Sequence, residues 1–354
     1  MARRLDLARG ELTGDPVTVA DPVSVDGGIN VAALSVSAAG LIAYRSGGIS
    51  GRQLTWFERS GKALGTLGAP DENALSHPRL SPDGRRVAVY RVVEGNADIW
   101  LFDAVRRTRF TFDASLDRFP IWSPDGSRIV FDSIRKDHRD LYQKPSNGAG
   151  SEQVLLESPQ NKSPSDWSAD GRFLIYGVTN DPKTGYDLWV LPLQGDRKPF
   201  VWLNARFDER QGVFSPDGRW VAYASNESGR FEIYVRPFDG ASATTALGTA
   251  SGQWQVSTTG GIWARWRPDG RELYYVAPDG KMMAAPIEVS GTTLNAGAPV
   301  ALFQTRIVGG GTNIDLGRQY DVASDGRFLI NVPIGEATAS PITLILNWAG
   351  GAKP

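Results

Sequence analysis

The chain has 354 residues, of which 41% are hydrophobic and 10% aromatic, and this is enough for an ordinary globular core. Its 38 basic and 39 acidic residues nearly cancel, so the net charge of −1 gives no electrostatic reason to bind nucleic acid or an anionic membrane. Cysteine is absent, which excludes disulfides, thiolate metal sites and a cysteine nucleophile. No apolar run is long enough to predict a transmembrane helix.

One four-residue turn recurs along the chain. Ser81–Gly84, Ser123–Gly126 and Ser215–Gly218 all read Ser-Pro-Asp-Gly. Proline presets φ at the second position, aspartate accepts local backbone hydrogen bonds, and glycine adopts the left-handed conformation that closes a hairpin. Near copies and one worn copy bring the number of turns to seven, at residues 37–40, 81–84, 123–126, 168–171, 215–218, 267–270 and 324–326.

The spacing of these turns indicates the architecture. Each turn lies between two short apolar strands, and a third strand opens with an acid, as at Asp98, Asp140 and Asp187. A repeat of about 40–45 residues that carries four strands is typical of a propeller blade. We therefore predict an all-β fold: a seven-bladed β-propeller of four-stranded antiparallel blades, as a single domain over residues 1–354. Six or eight blades are the alternatives.

Both ends of the chain fall inside a repeat. With a constant offset of 282 residues, Leu5 aligns with Ile287, so residues 1–25 correspond to half a blade. A propeller can close by letting a strand from one end complete the blade at the other. We expect this half-blade either to close the ring, with the donor strand near Pro16–Ala20, or to be the remnant of a longer chain.

The motifs that could carry chemistry have structural explanations. His138–Leu141 reads like the start of a kinase catalytic loop, but the nearest asparagine after Asp140 is Asn147, two residues too far for a metal ligand. Asp140 is also the acid that opens a third strand. The chain has two histidines, too few for the usual zinc site without cysteine. We predict no enzymatic activity, no cofactor and no metal site.

The loops that lead into the first strands differ from repeat to repeat. In a propeller these loops converge around one end of the channel, where charged residues form either a ligand-binding rim or a solvated surface. Arginine is the strongest candidate anchor because its planar fork can hold a carboxylate or stack on an aromatic ring. The candidate binding residues are His77, Arg79, Asp117, Arg118, Lys162, Asp208 and Arg210.

The repeat resembles the TolB-like propeller repeat, a WD-like family, over roughly residues 30–348. Segments such as Leu5–Val17, Thr184–Leu193 and Glu232–Phe238 also look like the C-terminal sensor propeller of bacterial transmembrane serine/threonine kinases. The resemblance implies an extracytoplasmic, or periplasmic, sensor module in a bacterium.

We expect a non-enzymatic binding module that presents one face to a protein, peptide or glycan. We also expect a monomer with no nucleic-acid partner and no insertion into the membrane. A free TolB-like periplasmic adaptor is one alternative. A propeller hydrolase or lyase with its active site at the channel mouth is the other.

Overall fold

The computed structural model describes residues 2–6, 9, 11–19, 23, 25–26, 31–37, 40–45, 51–181, 185–240, 252–334 and 342–346. The chain divides into two compact units: Met1–Gly51 with Ile334–Pro354, and Arg52–Pro333. Every regular element of the described residues is a β-strand, except for one short 3₁₀ helix at Ile314–Leu316. The predicted all-β class is confirmed.

The described residues of the first unit form three small sheets. The strands of the first two are β1 (Ala2–Asp6) with β2 (Glu11–Val17), and β3 (Val25–Asp26) with β4 (Val31–Ala32). The third sheet contains β5 (Leu34–Val36), β6 (Ile42–Arg45) and β32 (Ile342–Ile345), with β6 in the middle. The worn turn lies between β5 and β6, where the Gly40 N–H donates to the Ser37 carbonyl at 3.1 Å.

The second unit is built from six antiparallel sheets, and five of them are continuous in sequence. Two strands precede these five sheets in the sequence: β7 (Arg52–Phe57) and β8 (Ala63–Asp71). The first continuous sheet contains β9 (Ala74–Leu80), β10 (Val87–Val93), β11 (Asn96–Phe102) and β12 (Arg107–Arg109). The second contains β13 (Asp117–Trp122), β14 (Arg128–Ser133), β15 (Asp140–Pro145) and β16 (Gln153–Leu156).

The next three sheets repeat this order, and the last of them has an extra strand. The third contains β17 (Asn161–Trp167), β18 (Phe173–Asp181), β19 (Gly185–Pro192) and β20 (Phe200–Leu203). The fourth contains β21 (Glu209–Phe214), β22 (Trp220–Ser225), β23 (Glu232–Pro237) and β24 (Trp254–Gln255). The fifth contains β25 (Ile262–Trp266), β26 (Glu272–Val276), β27 (Lys281–Ser290), β28 (Thr293–Ala296) and β29 (Val300–Gln304), with β28 and β29 paired to different parts of β27.

The sixth sheet joins the two ends of the second unit. Its strands are β30 (Tyr320–Val322) and β31 (Phe328–Pro333), followed by β7 and β8. β31 pairs antiparallel with β7 along its whole length, from Phe328 opposite Phe57 to Pro333 opposite Arg52. First strands of neighbouring sheets pack together in the order β30, β9, β13, β17, β21, β25 and back to β30, so the unit is a closed ring.

The strands that close this ring are not those that the sequence suggested. The predicted donor lay near Pro16–Ala20, whereas Glu11–Val17 pairs with β1 and the ring is completed by β7 and β8. The physical reason lies in the two segments. Strand β2 is exposed at every position and contains Gly14 and Pro16, which weaken sheet pairing, whereas the first four residues of β7 are buried.

The ring of the second unit has six sheets, and each contains one of the six turns between Ser81 and Gly326. The seventh, worn turn belongs to the first unit. A single seven-bladed propeller over residues 1–354 therefore stays a prediction.

The recurring turn has the local structure that its chemistry predicts. In the first copy the Gly84 N–H donates to the Ser81 carbonyl at 2.8 Å, and glycine has φ of +69°. The Ser81 hydroxyl donates to Asp83 Oδ1 at 2.5 Å, and the same carboxylate accepts the Arg85 N–H at 3.1 Å. The repeated acids thus accept the local hydrogen bonds that stabilise the backbone of each turn.

Candidate functional site

Each of the first strands β9, β13, β17, β21 and β25 carries a β-bulge at the same place, where two residues face one residue of the second strand. The bulge position lies four residues before the turn. In four sheets it holds a non-glycine residue with φ between +53° and +62°: His77, Phe119, Gln211 and Trp263. Such left-handed residues are strained and persist only where their surroundings hold them, often at binding sites. In the third sheet the position is Pro164, whose ring excludes positive φ.

The bulges open a cavity of about 100 Å³ within the second unit, which we name the inner pocket. Bulge residues of four successive sheets line it: His77, Phe119, Pro164 and Gln211. Tyr186, Glu209 and the segment 314–318, which includes the 3₁₀ helix, complete much of the wall. A water molecule needs only about 10–15 Å³ of such volume, so the pocket can admit a small organic group.

The chain approaches the bulges closely just after the 3₁₀ helix, because the residue that follows the helix is a glycine, Gly317. Gly317 has φ of +69°, and a Cβ at this position would lie 2.6 Å from the Phe119 ring and 2.8 Å from His77 Nδ1. Only glycine combines this conformation with this approach. The glycine therefore brings Arg318 to the pocket wall.

A set of four buried or half-buried charges lies at the centre of the ring, and we name it the central charge cluster: Arg79, Asp166, Arg265 and Asp321. Each stands five residues before the glycine of the turn in its own sheet. Arg79 Nη2 lies 2.8 Å from Asp166 Oδ1, and Arg265 lies 3.5 Å from Asp166 and 2.5 Å from Asp321. Charges of alternating sign therefore tie four sheets together where burial makes electrostatic interactions strong.

Arg318 differs from these arginines because it forms no ion pair with any carboxylate among the described residues. Its side chain lines the inner pocket, is 1% exposed, and has no hydrogen-bond partner at Nε or Nη1. Burial, followed by repulsion from Arg79 and Arg265, lowers the pKa of Arg318 well below its ordinary value. Since arginine keeps its proton, this direction reports a charge that is costly to hold without a counter-ion.

His77 stands beside this charge. It is buried, neither ring nitrogen has a hydrogen-bond partner, and its ring meets Phe119 edge-on at 5.2 Å between centroids. Burial, with repulsion from Arg79 and Arg318, lowers the pKa of His77 well below its ordinary range. The imidazole is therefore neutral at physiological pH and presents one donor and one acceptor.

Arg210 also lines the pocket and, unlike Arg318, forms ion pairs with carboxylates of the described residues. Its guanidinium lies 3.5 Å over the Tyr186 ring and forms ion pairs with Asp208, at 2.9 Å, and with Asp315. Asp208 also accepts the Tyr186 N–H at 3.2 Å. These contacts hold Tyr186 and Arg210 in fixed positions at the pocket.

The structure separates the seven candidate residues into groups. His77 and Arg210 line the inner pocket, Asp208 supports Arg210, and Arg79 belongs to the central charge cluster. Arg118 lies outside the pocket wall. The candidates were expected on an exposed rim, yet His77 and Arg79 are 5% and 4% exposed.

Asp117 and Lys162 are buried between sheets, so they do not belong to a rim. Lys162 Nζ lies 2.8 Å from the carboxylate of Asp140, which belongs to the preceding sheet and to the kinase-like motif His138–Leu141. Lys162 also donates a hydrogen bond to the Ser158 carbonyl. Burial raises the pKa of Asp117 to about 6, with Arg135 3.8 Å away. Both residues stand six positions before a turn, where the side chain faces the neighbouring sheet.

Four residues of the pocket wall were not among the predicted site residues: Arg318, Tyr186, Glu209 and Gln211. The sequence contains a signal for two of them, because Arg318 and Gln211 stand eight and seven residues before a turn glycine, as Arg210 and His77 do. Alignment of all six first strands on their turns would have found them. Tyr186 comes from a third strand, and no spacing in the sequence relates it to the pocket.

Comparison with known proteins agrees with this ring of repeated sheets. Residues 69–185 match the family described as the TolB beta propeller domain. The sheets of this stretch are similar to those of TolB-like β-propellers. An uncharacterized protein of Agrobacterium fabrum is 26% identical over 208 residues, which cover 56% of this chain and 68% of the relative. The uncharacterized peptidase YuxL of Bacillus subtilis is 26% identical over 195 residues, 43% of this chain and 30% of the peptidase.

Solved structures share the fold of this chain. A protein of Agrobacterium tumefaciens assigned as TolB superposes with a TM-score of 0.59 at 15% identity, over 81% of this chain and 99% of that one. Hydrazine synthase of Kuenenia stuttgartiensis gives a TM-score of 0.52 at 14% identity, over 89% and 94% of the two chains. Among the residues described here, none belongs to a helix long and apolar enough to cross a membrane.

Proposed function

We propose that this TolB-like propeller is a non-enzymatic binding module whose recognition site is the inner pocket. One observation carries the proposal. Among the described residues, the pocket brings together strained residues of three sheets, His77, Phe119 and Gln211, and two buried side chains, Arg318 and His77, with nitrogens that lack partners. Buried donors without partners are costly, and a bound ligand can satisfy them.

Differences between the sheets support the choice of this site over the turns. The turns are nearly identical because local geometry selects their residues, and uniform loops cannot distinguish ligands. The bulge positions differ in every sheet, as His77, Phe119, Pro164, Gln211 and Trp263. Specific recognition requires such varied side chains around one cavity.

The biological role proposed for the module is that of a sensor. Its sequence resembles the extracytoplasmic sensor propeller of bacterial serine/threonine kinases, in which a ligand would be detected outside the cytoplasm. A free periplasmic adaptor that binds another protein is the alternative. Both roles use the same face of the ring, with a protein, peptide or glycan as partner.

An enzyme is the second candidate, because the pocket also contains an acid suited to proton transfer. Burial raises the pKa of Glu209 to about 8, and Glu209 and neutral His77 line the same cavity. A general acid or base works best when its pKa lies near the operating pH. Turnover of ester, peptide or uronide substrates by the wild type, abolished in Glu209→Gln, would favour this function.

The binding proposal is tested by probing peptide and glycan arrays with the labelled full chain. We expect Arg210→Ala to weaken the wild-type hits by more than about fivefold, since Arg210 fixes one side of the pocket. Arg85→Ala is the matched control, because Arg85 is an exposed arginine beside a turn. Hits that survive in Arg210→Ala and disappear in Arg85→Ala would place recognition on the turns instead.

A further inference from the structure

We infer that the ligand of the inner pocket carries a carboxylate and that Arg318 holds it. This inference rests on the proposed function and specifies the chemical class of the ligand. It starts from Arg318, which is 1% exposed and lines the cavity. Nε and Nη1 have no partner, and each of the two edges of the guanidinium fork contains one of these nitrogens.

The balance of charge around Arg318 calls for an anion. Arg318 and the two arginines of the central charge cluster carry three positive charges, whereas Asp166 and Asp321 carry two negative ones. His77 adds no charge, because burial and the adjacent arginines lower its pKa. One buried positive charge is therefore in excess, and a monoanion would neutralise it.

A carboxylate fits this position better than a phosphate. Its two oxygens match one edge of a guanidinium fork, and its single charge equals the excess. A dianion would add a negative charge close to Asp315, which lines the same pocket. Phe119, Pro164 and Ile314 supply apolar surface for the carbon atoms next to the carboxylate.

A carboxylate can come from a free organic acid or from the C-terminus of a peptide. The cavity of about 100 Å³ admits a small organic group in either case. The chemistry at Arg318 is the same for both sources. Separate probes must therefore distinguish them.

The first experiment uses the full-length wild type and calorimetric titration with two matched pairs of probes. One pair is benzoate and benzamide; the other is Gly-Gly-Gly-Phe with a free C-terminus and with an amidated one. We expect the acid of at least one pair to bind in a saturable way, about tenfold or more tightly than its amide. Binding of benzoate alone identifies a free acid, and binding of the peptide acid alone identifies a chain terminus.

The second experiment compares Arg318→Met and Arg318→Lys. Methionine has a similar length without charge, so we expect it to abolish binding of the acid and to raise the melting temperature of the free protein. Lysine keeps the charge without the fork and should retain weakened binding. A lower melting temperature for Arg318→Met would show that the charge is structural and would overturn the inference.

The wild-type titration decides the inference even if neither variant folds. Equal affinity for acids and amides, or no saturable binding of any of the four probes at millimolar concentration, contradicts a carboxylate site. The proposed function is judged separately by the array. An array hit that depends on Arg210 leaves the binding module standing when the carboxylate is excluded.

Discussion

The acids of this chain illustrate how position, rather than residue type, sets the chemistry of a side chain. Asp125 lies in an exposed turn, where hydrogen bonds from Ser123 and from the Ser127 backbone lower its pKa to about 2. Glu209 lies between sheets, where burial raises its pKa to about 8. The first acid stabilises a turn as a carboxylate, whereas the second is most stable in its neutral form.

Glu209 predicts a dependence of stability on pH. Its pKa is about 8 in the folded protein against an ordinary value of 4.5, so the folded state binds more protons between these values. The free energy of unfolding should fall as the pH rises through this window. Glu209→Gln removes the titration and can still accept the Ala205 N–H, which lies 3.1 Å from Glu209 Oε2. We expect Glu209→Gln to be more stable than the wild type by at least about 1 kcal/mol at pH 8, because one pKa unit corresponds to about 1.4 kcal/mol.

Denaturant unfolding at a series of pH values from 5 to 9 measures this effect. Glu288→Gln is the control, since Glu288 is exposed on β27. Its curve should run parallel to that of the wild type. A parallel curve for Glu209→Gln as well would mean that Glu209 is ionised in the folded state.

At the level of elements, the bulged first strands and the segment 314–318 act together to shape the inner pocket. In four of the first strands a bulge displaces one residue, and the displaced residue lines the cavity. The segment after the 3₁₀ helix covers two of these residues, His77 and Phe119, through the bare backbone of Gly317. The lack of a side chain at Gly317 should therefore determine how closely this segment packs on the pocket residues.

Two glycine substitutions distinguish the cost of a steric contact from the cost of backbone strain. Gly317→Ala and Gly310→Ala both place alanine at positive φ, at +69° and +60°. A Cβ at Gly310 meets nothing within 4 Å, whereas at Gly317 it meets Phe119 and His77 below 3 Å. We expect about 1 kcal/mol of destabilisation for Gly310→Ala and a further 1–3 kcal/mol, roughly, for Gly317→Ala. Denaturant unfolding measures both, and equal losses would show that the contact at Gly317 yields without cost.

At the level of the molecule, the second unit is a ring closed by its own ends. Its last sheet takes two strands from residues 320–333 and two from residues 52–71, so no sheet of the ring depends on residues 1–22. Closure of this kind removes the exposed edges that would otherwise pair with other chains.

Two truncations test this closure. Deletion of residues 1–22 removes no strand of the ring, and we expect a monodisperse protein that unfolds cooperatively. Deletion of residues 1–58 removes β7 and leaves β31 unpaired on one side, so we expect aggregation. Size-exclusion chromatography and thermal unfolding distinguish the two proteins. Aggregation of the shorter deletion alone would show that the N-terminal segment is the closing element.

The sequence by itself determined the local structure of this protein and, through repetition, its fold. Turns such as Ser81–Gly84 follow from backbone preferences of proline, aspartate and glycine, and the strands around them follow from alternation of apolar residues. These preferences act within a few residues, so they are readable without knowledge of the rest of the chain. Their recurrence was enough to predict a propeller.

Only the tertiary structure decided which strands close the ring and which side chains meet inside it. Arg79 pairs with Asp166 across 87 residues, and β31 pairs with β7 across more than 270. Lys162 and Asp117 were expected in loops at a rim, but they lie in the first strands before the bulge and are buried. Contacts between distant positions depend on the curvature and closure of the whole ring, which no local pattern encodes. Arg318, the residue on which the proposed site depends most, has the same place in its repeat as Arg210, but only the closed ring brings it beside His77 and the central charge cluster.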